Sequence, residues 1–153
     1  MAAEFNVKEY ESFSADDTFR LGKEFGASAL PGSVYSLEGD LGAGKTVFAK
    51  GFAEGLGITE TVNSPTFTIM KIYEGGRLDL YHYDAYRIED PSEMEEIGYT
   101  DYFFGEGTCL IEWACNIEEY LPDSYVKISI ERFPKRDLIT AKSRLPDYED
   151  TGA

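Results

Sequence analysis

The apolar positions of this chain fall into short runs with two different spacings. Glu4 to Phe13 alternates in part, which predicts an edge strand. Ser14 followed by Asp17 is a capping-box pattern opening a helix, with an apolar stripe at Phe19, Leu21, Phe25 and Ala29 and an end at Pro31-Gly32. Val34 to Leu37 is a compact apolar run, predicting a buried strand; a glycine-dense stretch follows, and Lys45 to Leu56 has helical character ending at Gly57. Thr66 to Tyr73 and Leu78 to Tyr83 are rich in β-branched and aromatic residues, and Gly75-Gly76 between them marks a hairpin turn. Pro91 suits the first turn of a short helix through Ile97. Cys109 to Ile111 is another short apolar run, ending at Glu112, and Ile117 to Leu121 predicts one or two helical turns stopped by Pro122. Tyr125 to Ile130 and Asp137 to Ala141 predict a second hairpin. Strands interleaved with helices predict an α/β fold, a three-layer sandwich whose mixed, partly parallel sheet is flanked by helices. The parallel strands belong near the glycine loop and the antiparallel pairs elsewhere.

Composition narrows the picture. With 153 residues the chain suffices for one domain with a real core, taken as 1–142, followed by a short flexible tail, 143–153. No stretch approaches the roughly 20 apolar residues of a membrane span, and Met1 to Asn6 lacks the basic start and apolar run of a signal peptide. Two cysteines and one histidine make neither a disulfide scaffold nor a zinc site. The expected location is the cytoplasm, away from membranes. A formal net charge of −15 repels a nucleic-acid backbone, so unaided binding to RNA or DNA is not expected. Lys127, Arg132, Lys135, Arg136, Lys142 and Arg144 nevertheless gather near the end; a solvated face is the plainer reading, contact with an acidic partner or RNA the other.

The glycine-dense stretch carries the chemistry. Gly39-Asp40-Leu41-Gly42-Ala43-Gly44-Lys45-Thr46 fits G-x-x-x-x-G-K-[ST] in full, with a buried-strand run before it and a helix after it. Glycines let the backbone curl so that successive N–H groups face an anion. The helix starting near Lys45 and running on through Val47 presents unsatisfied N–H groups and its positive dipole end to phosphate. Lys45 is expected on the β- and γ-phosphates of ATP or ADP, and the Thr46 hydroxyl on Mg²⁺. The fold is thus expected to be P-loop NTPase-like.

Such a loop binds nucleotide but needs a second acid to hold the metal or orient water. Glu112 stands where a Walker-B acid would, after Cys109-Leu110-Ile111; Asp84 ends the second strand of the first hairpin. Either acid alone is also what an ordinary strand end carries. Ser64-Pro65-Thr66-Phe67 lies where a switch segment would sense the γ-phosphate, although on spacing alone it is equally a Ser/Pro turn. Trp113 is either core filling or a rigid aromatic beside the nucleotide or a partner. His82, between Tyr81 and Tyr83, reads as a strand-facing residue before it reads as a base.

The blocks GDLGAGKT, SPTF, YHYDAYRIED and LIEW, in this order and spacing, resemble the bacterial TsaE family, formerly YjeE, over about Ser14 to Ile130. The resemblance implies an ATPase of tRNA threonylcarbamoyladenosine biosynthesis that acts with TsaB and TsaD, is needed for repeated turnover, and meets tRNA only through that complex. It further implies phosphate binding by Lys45, metal binding by Thr46 and Glu112, and orientation of the attacking water by Asp84. Ser64, Pro65 and Thr66 would form the switch and Trp113 a functional aromatic, with Tyr86 and Arg87 on the partner-facing surface. Cys115 departs from the small or acidic residue common in relatives, and the segment after Ile130 is weakly matched.

Two other readings remain open on the sequence. One is a small-molecule kinase, for which the lid is poorly supplied, since only Arg77 and Arg87 lie between Lys50 and Lys127 as arginines. The other is a nucleotide-gated binding module with negligible hydrolysis.

Overall fold

The structure is a computed structural model that describes residues 5–39, 44–62, 69–86 and 88–144. Seven strands form one sheet: β1 (Phe5–Ser12), β2 (Val34–Gly39), β3 (Met70–Tyr73), β4 (Leu80–Asp84), β5 (Thr108–Glu112), β6 (Val126–Arg132) and β7 (Asp137–Arg144). Their order across the sheet is β1-β7-β6-β2-β5-β4-β3. β2 pairs in parallel with both β5 and β6, and β4 pairs in parallel with β5. The flanking pairs β3–β4, β6–β7 and β1–β7 are antiparallel. This is the mixed sheet anticipated from the sequence, parallel in the middle and antiparallel at its margins. β2 is central and covered on both faces, which is why Val34 to Leu37 are apolar or small without alternation.

Two layers cover the sheet. On one face α1 (Ala15–Ser28) and α2 (Lys45–Gly55) pack over Tyr35, Leu37, Leu80, Leu110, Ile128 and Ile130. On the other, α3 (Glu93–Glu96), α4 (Tyr99–Phe103) and a 3-10 segment (Ala114–Tyr120) cover Val34, Tyr83, Cys109 and Ile111. No helix among the described residues is long and apolar enough to cross a membrane.

The elements begin and end for identifiable reasons. Ser14 Oγ accepts from the N–H of Asp17 at 3.2 Å, while the Asp17 carboxylate accepts from the N–H of Phe13 at 2.9 Å. The capping box closes, therefore, one residue further back than its usual form. That N–H, assisted by Arg20, holds the Asp17 carboxyl below the usual range despite some desolvation. No basic residue stands in the last turn of α1; instead Arg77, from the β3–β4 turn, directs Nη2 at Gly26 O, Ala27 O and Ala29 O at 2.9, 3.0 and 3.0 Å. The hairpin turn is tied to the end of α2 as well, by the Arg77 N–H on Leu56 O at 2.6 Å.

Several boundaries differ from expectation. The second strand of the first hairpin starts at Leu80 rather than Leu78, because Leu78 and Asp79 still belong to the turn that docks on α2 and β5. Pro91 precedes the helix it was expected to begin: Asp90 accepts from the Ser92 N–H at 3.0 Å, forming a turn, and helix proper starts at Glu93. α4 was not anticipated. The turns expected at Ile117 to Leu121 start earlier, at Ala114, with a break at Ile117. β7 continues beyond Ala141 to Arg144, paired along its length with β6 or β1.

What sets the position of α2 is a glycine seam. Gly22 and Gly26 on α1 face Phe48 and Phe52 of α2, and Gly51 and Gly55 on α2 face Phe19 and Lys23 of α1. A methyl group at any of the four would run into the carbonyl oxygen of the residue opposite. Close backbone approach of this kind uses small residues four apart on each helix, the spacing that keeps them on one face. Gly51→Ala should therefore lower unfolding stability by about 1–3 kcal/mol, the overpacking cost exceeding the gain in helix propensity. Urea unfolding checks this, and an unchanged or raised midpoint would contradict the seam.

Candidate functional site

The carboxyl end of the parallel sheet gathers the groups singled out from the sequence. Gly39 closes β2, and residues 40–43, with Asp40, Leu41, Gly42 and Ala43, lie outside the described residues, as do Ser64, Pro65, Thr66 and Arg87. Gly44 precedes α2 at φ 92°, a left-handed conformation that costs glycine little and other residues more. α2 then starts, its ladder opened by the Phe48 N–H on Gly44 O at 3.0 Å. Its first N–H groups lack intrahelical partners and point back toward the glycine loop. Lys45 heads the helix and is 9% exposed; Thr46 is exposed and Val47 half-buried.

Lys45 is buried, and it has no ion pair with a described residue. Among the described residues no carboxylate comes within salt-bridge distance of it; its ammonium sits 4.9 Å from the centroid of the Trp113 ring. A cation–π contact offsets only part of the cost of desolvating a charge, of the order of 1–2 kcal/mol. An anion placed there would be drawn to both the ammonium and the helix terminus.

Asp84 and Glu112 are brought together by register, as partners at the ends of β4 and β5. The Ala85 N–H continues the pairing onto Glu112 O at 2.9 Å. Asp84 is half-buried, and its Oδ1 accepts from the Tyr86 N–H at 3.0 Å, which shapes the turn after β4. Glu112 is buried, and its Oε2 lies 2.8 Å from His82 Nε2. Strand alternation puts Leu80, His82 and Asp84 of β4 on the side facing α2, together with Leu110 and Glu112 of β5. The sequence reading left His82 as a strand-facing residue. It does face from the strand, but onto the Glu112 carboxylate, and the i, i+2 spacing of His82 and Asp84 was the signal for that shared face.

Trp113 holds φ 59°, the only positive φ outside glycine among the described residues. A left-handed aromatic residue stores roughly 1–3 kcal/mol of strain and persists only when its surroundings enforce it. The surroundings are on both sides of the ring: Lys45 on one contact, the exposed Tyr86 ring at 4.8 Å on another, with partial burial against the second core cluster. Trp113 is thus partly core filling, with its remaining face toward Lys45 and Tyr86. Asn116 braces the arrangement by donating from Nδ2 to Ala85 O at 2.9 Å, a tie that nothing in the linear pattern announced.

The residues suit a magnesium-bound polyphosphate. Glu112, Asp84 and the Thr46 hydroxyl offer hard oxygen donors, the kind Mg²⁺ takes when it keeps waters and phosphate oxygens as its remaining ligands. Lys45 offers a cation that no described carboxylate pairs.

A central parallel strand entering G-x-x-x-x-G-K-T and a helix, with acids at the ends of the next two strands, defines a P-loop NTPase-like α/β protein. The comparisons with known proteins agree and go further. The family model described as threonylcarbamoyl adenosine biosynthesis protein TsaE matches residues 12–138, and the chain belongs to the TsaE family. The tRNA threonylcarbamoyladenosine biosynthesis protein TsaE of Bacillus subtilis is 55% identical over 124 residues, 81% of this chain and 77% of its own length. The protein of the same name from Treponema pallidum is 46% identical, covering 78% and 87%. A crystal structure of Bacillus subtilis YdiB superposes with a TM-score of 0.81 at 41% identity, covering 97% of this chain and 93% of the other.

Cys115, next to this site, is exposed, whereas Cys109 is buried in β5 with its thiol donating to Tyr102 O at 3.4 Å. Burial pushes the Cys109 thiol up to about 12, so it stays protonated, and unreactive, far above neutrality. At pH 8 a thiol reagent should modify one cysteine in the native protein and two after unfolding. Mass spectrometry of the labelled peptides should place the native adduct on Cys115; rapid native labelling of Cys109 would show that β5 is less well covered than described.

Proposed function

We propose that this chain is a Mg-dependent ATPase acting in tRNA threonylcarbamoyladenosine formation together with TsaB and TsaD proteins. The observation that carries the reading is the buried ammonium of Lys45 at the head of α2, which no described carboxylate pairs and which lies over the ring of Trp113, the residue after the Glu112 strand end. Membership in the TsaE family supports the pathway. TsaB and TsaD are partners by the family resemblance of the sequence blocks, and tRNA is reached through them. The expected location is the cytoplasm.

Each residue has a role that follows from its chemistry. Lys45 would bind the β- and γ-phosphates, together with main-chain N–H groups of Gly39 to Val47. Thr46 and Glu112 would hold Mg²⁺, which when bound neutralises phosphate charge. Asp84, half-buried with one oxygen engaged by the Tyr86 N–H, keeps its second oxygen to accept a hydrogen bond from an attacking water. Trp113 would close one wall beside Lys45, and Ser64 and Thr66 would sense the terminal phosphate.

The decisive assay is ATP hydrolysis with and without a TsaB–TsaD complex. Strong stimulation is expected, and Asp84→Asn or Glu112→Gln should cut the stimulated rate by about 100-fold or more while ADP still binds. Lys45→Ala should weaken nucleotide affinity roughly 10- to 100-fold, the loss of charged hydrogen bonds to phosphate. Full stimulated turnover in both acid variants would overturn the catalytic assignment; phosphoryl transfer to a metabolite instead of water would make the chain a kinase.

A further inference from the structure

His82 is the sole histidine of the chain, and it is 1% exposed. Across the parallel pair its register partner is Leu110, so it reaches diagonally along the same face to Glu112. The 2.8 Å contact joins His82 Nε2 to Glu112 Oε2 with both side chains buried. His82 Nδ1, on the opposite edge of the ring, is buried and has no hydrogen-bond partner among the described residues.

These two nitrogens fix the tautomer. A carboxylate only accepts, so a hydrogen bond to it requires a proton on Nε2. A proton on Nδ1 would leave a buried donor without a partner among the described residues, which is unfavourable. The arrangement without that cost has the ring N–H on Nε2, aimed at Glu112. Both partners stand on the central, fully paired part of the sheet, so neither can turn away without disturbing the packing of Leu80 and Leu110 beside them.

We infer that His82 is a positioning residue for this site: its Nε2–H locks the Glu112 carboxylate in one orientation, and losing it weakens divalent-cation binding while sparing nucleotide binding. The inference rests on the reading of Glu112 as a metal-holding acid. Hydrogen-bonded partners of carboxylate ligands typically contribute 10- to 100-fold in metal affinity or activity. Main-chain and Lys45 contacts to phosphate do not pass through His82, which is why the effect should divide in this way.

The first test needs no variant. Long-range ¹H–¹⁵N spectra of untagged wild-type protein contain one imidazole, and the Nε2–H tautomer is expected; an Nδ1–H tautomer would overturn the inference. The second uses Mn²⁺ as the probe, titrated into the ADP complex and followed by electron paramagnetic resonance. His82→Phe removes the donor and should weaken Mn²⁺ binding about 10- to 100-fold, with metal-free ADP affinity within about threefold of wild type. His82→Gln, whose amide N–H reaches near the Nε2 position, should stay within about threefold of wild type for both. A folded His82→Phe with wild-type Mn²⁺ affinity, or a His82→Gln as impaired as His82→Phe, would overturn the role. Should His82→Phe not fold, the wild-type tautomer and His82→Gln decide: a tenfold loss of Mn²⁺ in His82→Gln counts against positioning. If wild-type protein binds no ADP, the proposed function fails first, and the tautomer result stands apart from it.

Discussion

The contact on which the rest of the structure depends is the backbone-to-backbone seam between α1 and α2. Gly22 and Gly26 on one helix and Gly51 and Gly55 on the other let carbonyl oxygens of each sit where side chains would otherwise stand. The seam fixes α2 relative to α1 at its far end and its middle; Arg77 and the β3–β4 turn fix the end of both. With those restraints, the head of α2 has one place to be, directly beyond β2. Lys45 is then aimed by the fold rather than by its own rotamer freedom. Burial of its stem removes much of the conformational entropy a surface lysine would lose on binding an anion.

That local arrangement reconciles a strongly acidic chain with an anionic ligand. A net charge of −15 would repel a polyphosphate at long range, but at physiological ionic strength exposed charges more than about 8 Å away are largely screened. Buried groups are screened much less. A desolvated ammonium and a helix terminus act within that distance and in lower dielectric, so on the proposed reading they would set the sign of the potential met by a phosphate. The distributed acidity still matters, since it disfavours contact with a bare nucleic-acid backbone.

The parts legible in the sequence were those set by local chemistry. The strand, glycine loop and helix from Val34 to Leu56 could be read because each residue type there has one steric or hydrogen-bonding reason to be present. The acids Asp84 and Glu112 could be read as strand-end residues. What local pattern does not carry is pairing between distant strands. That β6 lies beside β2 in parallel, and that Asp84 and Glu112 are register partners, depends on crossovers whose geometry is set by the packed helices. α4 escaped notice because five residues cannot display a helical period. Two features were written in the sequence and unread. The i, i+4 glycine pairs announce a close helix contact, and the i, i+2 pair His82 and Asp84 announces a shared face.

Trp113 shows how strain and electrostatics are tied together at this site. Leaving β5 in an extended conformation would carry the indole away from Lys45; the left-handed turn at φ 59° swings it back over the ammonium. The strain, roughly 1–3 kcal/mol, is comparable with what a desolvated cation–π contact returns, about 2 kcal/mol. The strain and the cation–π contact are therefore close to balance. Charged hydrogen bonds to a phosphate contribute roughly 1.5–3 kcal/mol each, so a second such bond already exceeds what the ring provides. On the proposed reading, Lys45 would exchange an aromatic face for phosphate oxygens with little net penalty, and the Trp113 ring, tilted against the exposed Tyr86 ring, lies between Lys45 and the protein surface.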